Sequence, residues 1–282
     1  MTVLEVLSST TAYFQKHNVE SPRLNAEHLL AHVLGRQRIE LYLAFERELI
    51  ESELAPLRDL VKRRGAGEPL QHLLGTVEFC GHSFVCDNRA LVPRPETEQL
   101  VELIKSTIES ASGGRKSKIL DVGTGSGVIA LSLAAEFPEA EIVATDISET
   151  ALALARENAQ RLSLADRVRF VRTHLFENAE GVFDLIAANL PYISTEQRQN
   201  LSREVLHDPE VALFAGVRGD ELVWELIAQA PSRLRAGGIL ALEIGAGQSE
   251  ALMSALAEKN YRDIWTEKDY SSVTRFLFAR YG

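Results

Sequence analysis

The run Leu120-Asp121-Val122-Gly123-Thr124-Gly125-Ser126-Gly127 limits the possible folds of this chain more than any other stretch. Lys118–Val122 has the length and apolar character of a buried strand, and residues 128–137 read as an apolar helix. Glycines between such elements let the backbone turn sharply and approach a ligand closely. The pattern then repeats. Residues 141–145 read as a strand ending at Asp146, 150–162 as a helix, and 168–171 and 183–188 as strands. A helix over 222–234 and a strand over 239–244 follow, with Gly237-Gly238 between them. Strands alternating with helices predict a parallel, doubly wound α/β sheet. Two β-rich tail segments, 261–267 and 273–279, are joined by a polar loop and predict an antiparallel edge.

The chain ahead of this region has another texture. Helices are expected over 2–16, 38–45 and 51–64, and a fourth begins at Ser21-Pro22, with Ser21 as N-cap and Pro22 at the first helical position. Leu24, Leu29, Leu30, Val33 and Leu34 follow at helical spacing, and Gly35 suits the C-cap. From Gly75 the pattern changes to a β-hairpin, Thr76–Cys80 and Ser83–Cys86 around Gly81-His82. Pro93 and Pro95 stiffen the next segment. A helix is expected from near Glu96 to about Ser110, then a loop at Ser112-Gly113-Gly114. The predicted division is a helical domain over 1–75, a hairpin linker over 76–92 and an α/β domain over 93–282.

Composition narrows the function. The 282 residues carry a formal net charge of −10, which argues against a nonspecific nucleic-acid binder. The stretch up to Gly75 is nearly neutral, with nine basic and ten acidic residues, so the acidity lies in the α/β part. Cys80 and Cys86 are too few for a disulfide scaffold or a four-thiolate zinc site, and read as reduced thiols in or near a core. His28 and His32 are four apart on one helix, but Leu29 stands where the metalloprotease pattern needs Glu, so no metal is expected. No secretory signal is visible and no apolar run approaches the roughly 20 residues of a membrane span, so a cytoplasmic protein is expected.

Two places carry chemistry. The glycine turn has G-x-G-x-G spacing, not the G-x-G-x-x-G of a dinucleotide fingerprint, so a pyrophosphate cradle is not specified. Asp146 ends the next strand, where a carboxylate can accept from both hydroxyls of a ribose. A glycine turn and a ribose-binding acid without a phosphate-binding Lys point to S-adenosylmethionine. The second place is Asn189-Leu190-Pro191-Tyr192, at the end of the apolar run 183–188. Pro191 pushes Leu190 into an extended conformation, and its carbonyl then lies beside the Asn189 side chain. Two acceptors and the flat ring of Tyr192 suit a planar −NH2 group, either a carboxamide or an exocyclic base amine.

Over nearly its whole length the chain resembles the peptide chain release factor N5-glutamine methyltransferases, the PrmC/HemK family of class I S-adenosylmethionine-dependent enzymes. Pro93-Arg94-Pro95-Glu96-Thr97-Glu98, Leu120–Gly127, Asn189–Tyr192, Leu242-Glu243-Ile244-Gly245 and Gly67-Glu68-Pro69-Leu70-Gln71 carry the resemblance. It implies a Rossmann-like sheet behind a helical domain that docks the release factor. It places the cofactor's methionine and adenosine against Gly123, Thr124, Gly125, Ser126 and Gly127, and the ribose on Asp146. Either His174 or Leu175 flanks the adenine, and Asn189 borders the cofactor. The glutamine amide is held by Asn189 and the Leu190 carbonyl, with Pro191 stiffening the strap and Tyr192 against the amide plane. The family usually carries Asn-Pro-Pro-Tyr, and Leu190 can supply the same carbonyl. Adenine N6-dimethylating ribosomal RNA enzymes also carry Asn-Leu-Pro-Tyr, so an adenine N6-methyltransferase on RNA or DNA is the alternative, and a noncatalytic cofactor-binding module is a more distant rival. The implied substrate is a release factor and the expected state a monomer, without membrane or direct nucleic-acid contact. His174 and His207 are expected to play no part as bases, because this transfer needs none beforehand.

Overall fold

The computed structural model describes residues 1–111 and 117–282, so the loop expected at Ser112-Gly113-Gly114 lies outside the described residues. The chain forms two compact units, Met1–Thr76 with Leu201–His207, and Val77–Asn200 with Asp208–Gly282.

The first unit is helical: α1 (Val3–Lys16), α2 (Pro22–Leu34), α3 (Arg38–Tyr42), α4 (Glu51–Gly65) and α5 (Leu70–Leu74). Thr2 and Glu5 form a reciprocal capping box that satisfies two otherwise orphaned N–H groups of α1. Ser21 precedes α2 as expected but does not cap it with its side chain. Its backbone is left-handed, with φ 46°, and the Asn25 amide instead donates to the carbonyls of Glu20 and Ser21. Gly35 ends α2 with φ 61°. Val3, Leu7, Phe14, Leu29, Leu30 and Leu41 form the buried core of this unit. Leu201–His207 belongs here although it lies far along the chain. Buried Arg64 donates to Glu204 at 2.7 Å, to Asn25 Oδ1 at 2.7 Å and to the Glu68 carbonyl at 2.9 Å.

The hairpin β1 (Thr76–Phe79) and β2 (His82–Val85) opens the second unit from Val77 onward. Its two-residue turn, Cys80-Gly81, has positive φ at both positions, which matches the twist of a tight hairpin. Burial pushes the Cys86 thiol up to about 12. The Pro-rich segment leads into α6 (Pro95–Ala111), and the sheet then builds from β3 (Lys118–Val122), α7 (Val128–Glu136), β4 (Glu141–Asp146), α8 (Glu149–Arg161), β5 (Val168–Arg172) and β6 (Phe183–Asn189). After α9 (Glu210–Leu213) and α10 (Glu221–Gln229) come β7 (Leu234–Glu243), α11 (Ser249–Glu258), β8 (Tyr261–Lys268) and β9 (Thr274–Tyr281).

The strand order is β5-β4-β3-β6-β7-β9-β8. The first five strands run parallel, and β9 pairs antiparallel with β7 and β8. This is the Rossmann-like sheet with an antiparallel edge that the sequence predicts. One face packs against α6 and α7 through Leu100, Ile104 and Leu131, and the other against α10 and α11 through Leu226 and Leu252. Both faces of the sheet are buried, which explains the continuous apolar runs of its strands. The chain adds β4 and β5 on one side of β3 and β6 and β7 on the other, so the carboxyl ends of β3 and β6 border the switch point where such sheets bind ligands. Asn158, fully buried, ties the hairpin to this point. Its side chain exchanges bonds with Val85 N and O and donates to the Ser126 carbonyl.

Candidate active site

A cavity of about 250 Å³ opens at the carboxyl ends of β3, β4 and β6. The glycine turn forms one wall. Gly123 N and Thr124 N both donate to the Thr145 carbonyl at 2.9 Å, and Gly125 N donates to Asp146 Oδ2 at 2.9 Å. Gly123 needs to be glycine twice over: its φ is 73°, and a Cβ there would stand 2.8 Å from the Leu190 side chain. Beneath the turn, Asp121 is wholly buried. Its Oδ2 accepts from the Thr124 hydroxyl at 2.6 Å and from Ala130 N at 3.1 Å, which fixes the turn to the start of α7. Burial pushes its carboxyl up to about 7.

Gly123, Thr124, Gly125, Ser126 and Asp146 all line the cavity. Gly127 does not. It stands at the N-cap of α7 with φ 86°, and a Cβ there would lie 3.1 Å from that of Ala155, so its place is the close packing of α7 on α8. Asp146 Oδ1 accepts from Ser148 N at 2.8 Å, which leaves further lone pairs on the carboxylate for a ligand. Burial raises its pKa. Ile147, half-exposed, adds apolar surface beside it. His174 and Leu175 both reach the cavity wall. The His174 ring lies 3.0 Å from the Glu225 carboxylate, whereas Leu175 is buried on a left-handed backbone with φ 43°.

The other end of the cavity is built differently. Asn189, Leu190 and Pro191 line it, together with Pro93, Arg94 and Thr97. Asn189 Nδ2 donates to Thr97 Oγ1 at 3.0 Å, and that hydroxyl donates to Glu243 Oε2 at 2.7 Å. The parallel register of β6 and β7 sets Asn189 beside Glu243. Thr97 reaches them from the first turn of α6, which the two prolines start. Burial pushes the Glu243 carboxyl up to about 7. Arg94 and Val92 N both donate to the buried Asp208 carboxylate, which joins the Pro-Arg-Pro segment to the wall around Pro209, Val211 and Phe214. Tyr192 is not among the lining residues. The Arg275 guanidinium lies 5.9 Å from its ring centroid, and burial, with the nearby Glu243, pushes its hydroxyl up to about 12.

The cavity joins the glycine turn and Asp146 at one end to Asn189, Leu190 and Pro191 at the other. Two family profiles match the chain: the PrmC N-terminal domain over residues 5–75 and the Methyltransferase small domain over residues 96–216. A release factor glutamine methyltransferase of Rhodopirellula baltica is 41% identical over 98% of this chain and 95% of its own length. The chain belongs to the release factor glutamine methyltransferase family. A second relative of the same name, from Deinococcus radiodurans, is 41% identical over 99% of both chains. A solved 16S rRNA methyltransferase of T. thermophilus, in complex with AdoMet and guanosine, shares the fold with a TM-score of 0.53 and 20% identity over 73% of this chain and 50% of its own.

Family membership agrees with the resemblance read from the five segments. Asp121, Ile147 and Glu243 escape a reading by sequence position. Glu243 and Thr97 lie inside motifs that mark the family, but nothing along the chain says that they meet Asn189. His28 and His32 lie in the helical unit, and His207 in the segment packed with it. Among the described residues no group of three His, Cys, Asp or Glu side chains is placed to hold a metal, and no helix is long and apolar enough to cross a membrane.

Proposed function

We propose that this chain transfers the methyl group of S-adenosylmethionine to the side-chain amide nitrogen of the glutamine in the Gly-Gly-Gln loop of peptide chain release factors. The observation that carries the reading is the Asn189 mouth on a glycine-turn cavity, in a chain that aligns end to end with enzymes named for this activity. The adenine alternative is not favoured, because the full-length relatives carry the glutamine name.

The residues present fit the cofactor. Gly123 and Gly125, both at positive φ, bring bare backbone to the cavity wall, and the remaining lone pairs of Asp146 suit ribose hydroxyls. Ile147 and Leu175 offer apolar surface for the adenine. When bound, the cofactor supplies an electrophilic methyl on a sulfonium. The chain's task is to hold a weak nucleophile, since an amide lone pair is delocalised into its carbonyl. Asn189 Oδ1 accepts one N–H and the Leu190 carbonyl the other. Both acceptors favour the positive charge that develops on nitrogen as the methyl arrives. Pro191 keeps the Leu190 carbonyl in place, and Pro209, Val211 and Phe214 add apolar wall to the cavity.

The helical unit is the docking domain in this reading. Its α3 exposes Ile39, and Leu43 follows it, 88% exposed. Replacing both by Ser is expected to raise KM for whole release factor and to leave methylation of a short Gly-Gly-Gln peptide unchanged. Methyl transfer from labelled cofactor to purified release factor, against ribosomal RNA, tests the main assignment. Label on the RNA alone overturns it.

A further inference from the structure

To hold a substrate −NH2, Asn189 must present its oxygen, not its nitrogen. An Asn side chain is nearly symmetric in shape, so an unconstrained amide presents either end. Presenting −NH2 to another −NH2 sets donor against donor and destroys the site. Something must therefore select the rotamer.

Thr97 and Glu243 lie on the nitrogen side of Asn189, 3% and 1% exposed. An ionised carboxylate only accepts, and a threonine hydroxyl has a single hydrogen. Once that hydrogen is donated to Glu243, the hydroxyl faces Asn189 with lone pairs alone. It then accepts from the amide nitrogen and rejects the oxygen. The parallel register also sets Glu243 beside Asn189, where an anion favours the nitrogen end of the amide over the oxygen. We propose that Glu243 and Thr97 are positioning residues for methyl transfer: the carboxylate orders the threonine hydroxyl, and together they lock Asn189 with its oxygen toward the substrate amide. The inference rests on the assignment of Asn189 as the substrate's acceptor.

The lock has a condition. Protonated Glu243 becomes a donor, and the Thr97 hydrogen is then free to turn toward Asn189. Either amide end is then satisfied and the selection is lost. Arg275 on β9 faces the carboxylate and favours the anion, whereas Glu96 on α6 opposes it. Tyr192, from the strap after β6, stays neutral beside it. Burial outweighs Arg275, so Glu243 titrates at about 7, and the locked form gains population as pH rises through that value.

Three variants test the proposal, with Asn189→Ala beside them. Glu243→Gln lets the side chain at 243 offer a donor, and Thr97→Val keeps the shape without the hydroxyl. In each, kcat on release factor is expected to fall about 10- to 100-fold, with the cofactor dissociation constant unchanged. Thr97→Ser restores turnover. The wild-type rate rises with pH through a limb near 7, and Glu243→Gln removes that limb. A second reading needs no variant to fold well. In the ligand-free wild type, the Asn189 side-chain −NH2 signals in 15N spectra shift with pH over the same range. Normal turnover of Thr97→Val, a persistent limb in Glu243→Gln, or Asn189 signals indifferent to pH overturns the proposal. If Asn189→Ala itself turns over normally, the acceptor assignment fails and the lock fails with it. If Asn189→Ala is inactive and Thr97→Val is not, only the lock fails.

Discussion

The two ends of the cavity are built by different means. At the glycine end the main chain does the work. Backbone N–H groups of Gly123, Thr124 and Gly125 are spent on the β4 end, and the side chain that matters most, Asp146, is held by backbone donors. At the Asn189 end, three side chains from β6, α6 and β7 hold one another. A main-chain site depends on a local run of glycines and is rigid by construction. A side-chain relay depends on charge state and on residues far apart in sequence. Binding of the donor and activation of the acceptor therefore respond to different substitutions.

The largest expected effect strikes the side-chain end. Asn189→Ala removes one of two acceptors and lets the amide rotate. Single-turnover methylation at saturating release factor is expected to fall on the order of 10²-fold or more, by analogy with losing one preorganised electrostatic contact. Near-normal turnover would remove Asn189 from the chemistry. Next comes the main-chain end. Asp146→Ala weakens cofactor binding by about 1.5–3 kcal/mol, the scale of hydrogen bonds to a charged group, and calorimetry reads the change directly. Unchanged affinity would detach Asp146 from the ribose.

Gly127→Ala sharpens the contrast within the glycine turn. A side chain there meets Ala155 on a strained backbone, so stability should drop by about 1–3 kcal/mol, seen as a lower midpoint in denaturant. Cofactor affinity of the folded fraction stays the same, because Gly127 does not line the cavity. The smallest effect is expected for Leu190→Pro. It keeps the carbonyl and adds stiffness but gives up Leu packing over Gly123. Turnover should stay within about tenfold, since a tenfold change is only about 1.4 kcal/mol. An inactive enzyme would count against the carbonyl as the second acceptor.

This asymmetry also explains what could be read from the sequence. The parallel sheet, the glycine turn and Asp146 were legible because each depends on neighbours in the chain: an apolar run, a turn and a strand end. The antiparallel edge was legible in the same way, from two β-rich runs. Ser249–Glu258 was missed as a helix, although Leu252, Ala255 and Leu256 bury one face of it. Ser21 stands at the expected N-cap position, but its left-handed backbone, φ 46°, leaves its side chain without a capping bond, and Asn25 ties the helix start down by donating to the Glu20 and Ser21 carbonyls. Thr97 and Glu243 were hidden by separation. Thr97 is 92 residues from Asn189 and 146 from Glu243, and only the β6–β7 register and the start of α6 bring them together. The Leu201–His207 excursion into the helical unit has the same cause, since the Arg64–Glu204 pair spans 140 residues.

The most direct test of the division between the two ends is the cofactor's dissociation constant, measured by calorimetry on the Asn189→Ala protein whose transfer rate has collapsed. The account predicts an affinity within about twofold of the wild type, well under the 1.4 kcal/mol that a tenfold change represents. A loss of cofactor affinity as large as the loss of rate would show that Asn189 serves the donor, and would contradict the separation on which the mechanism stands.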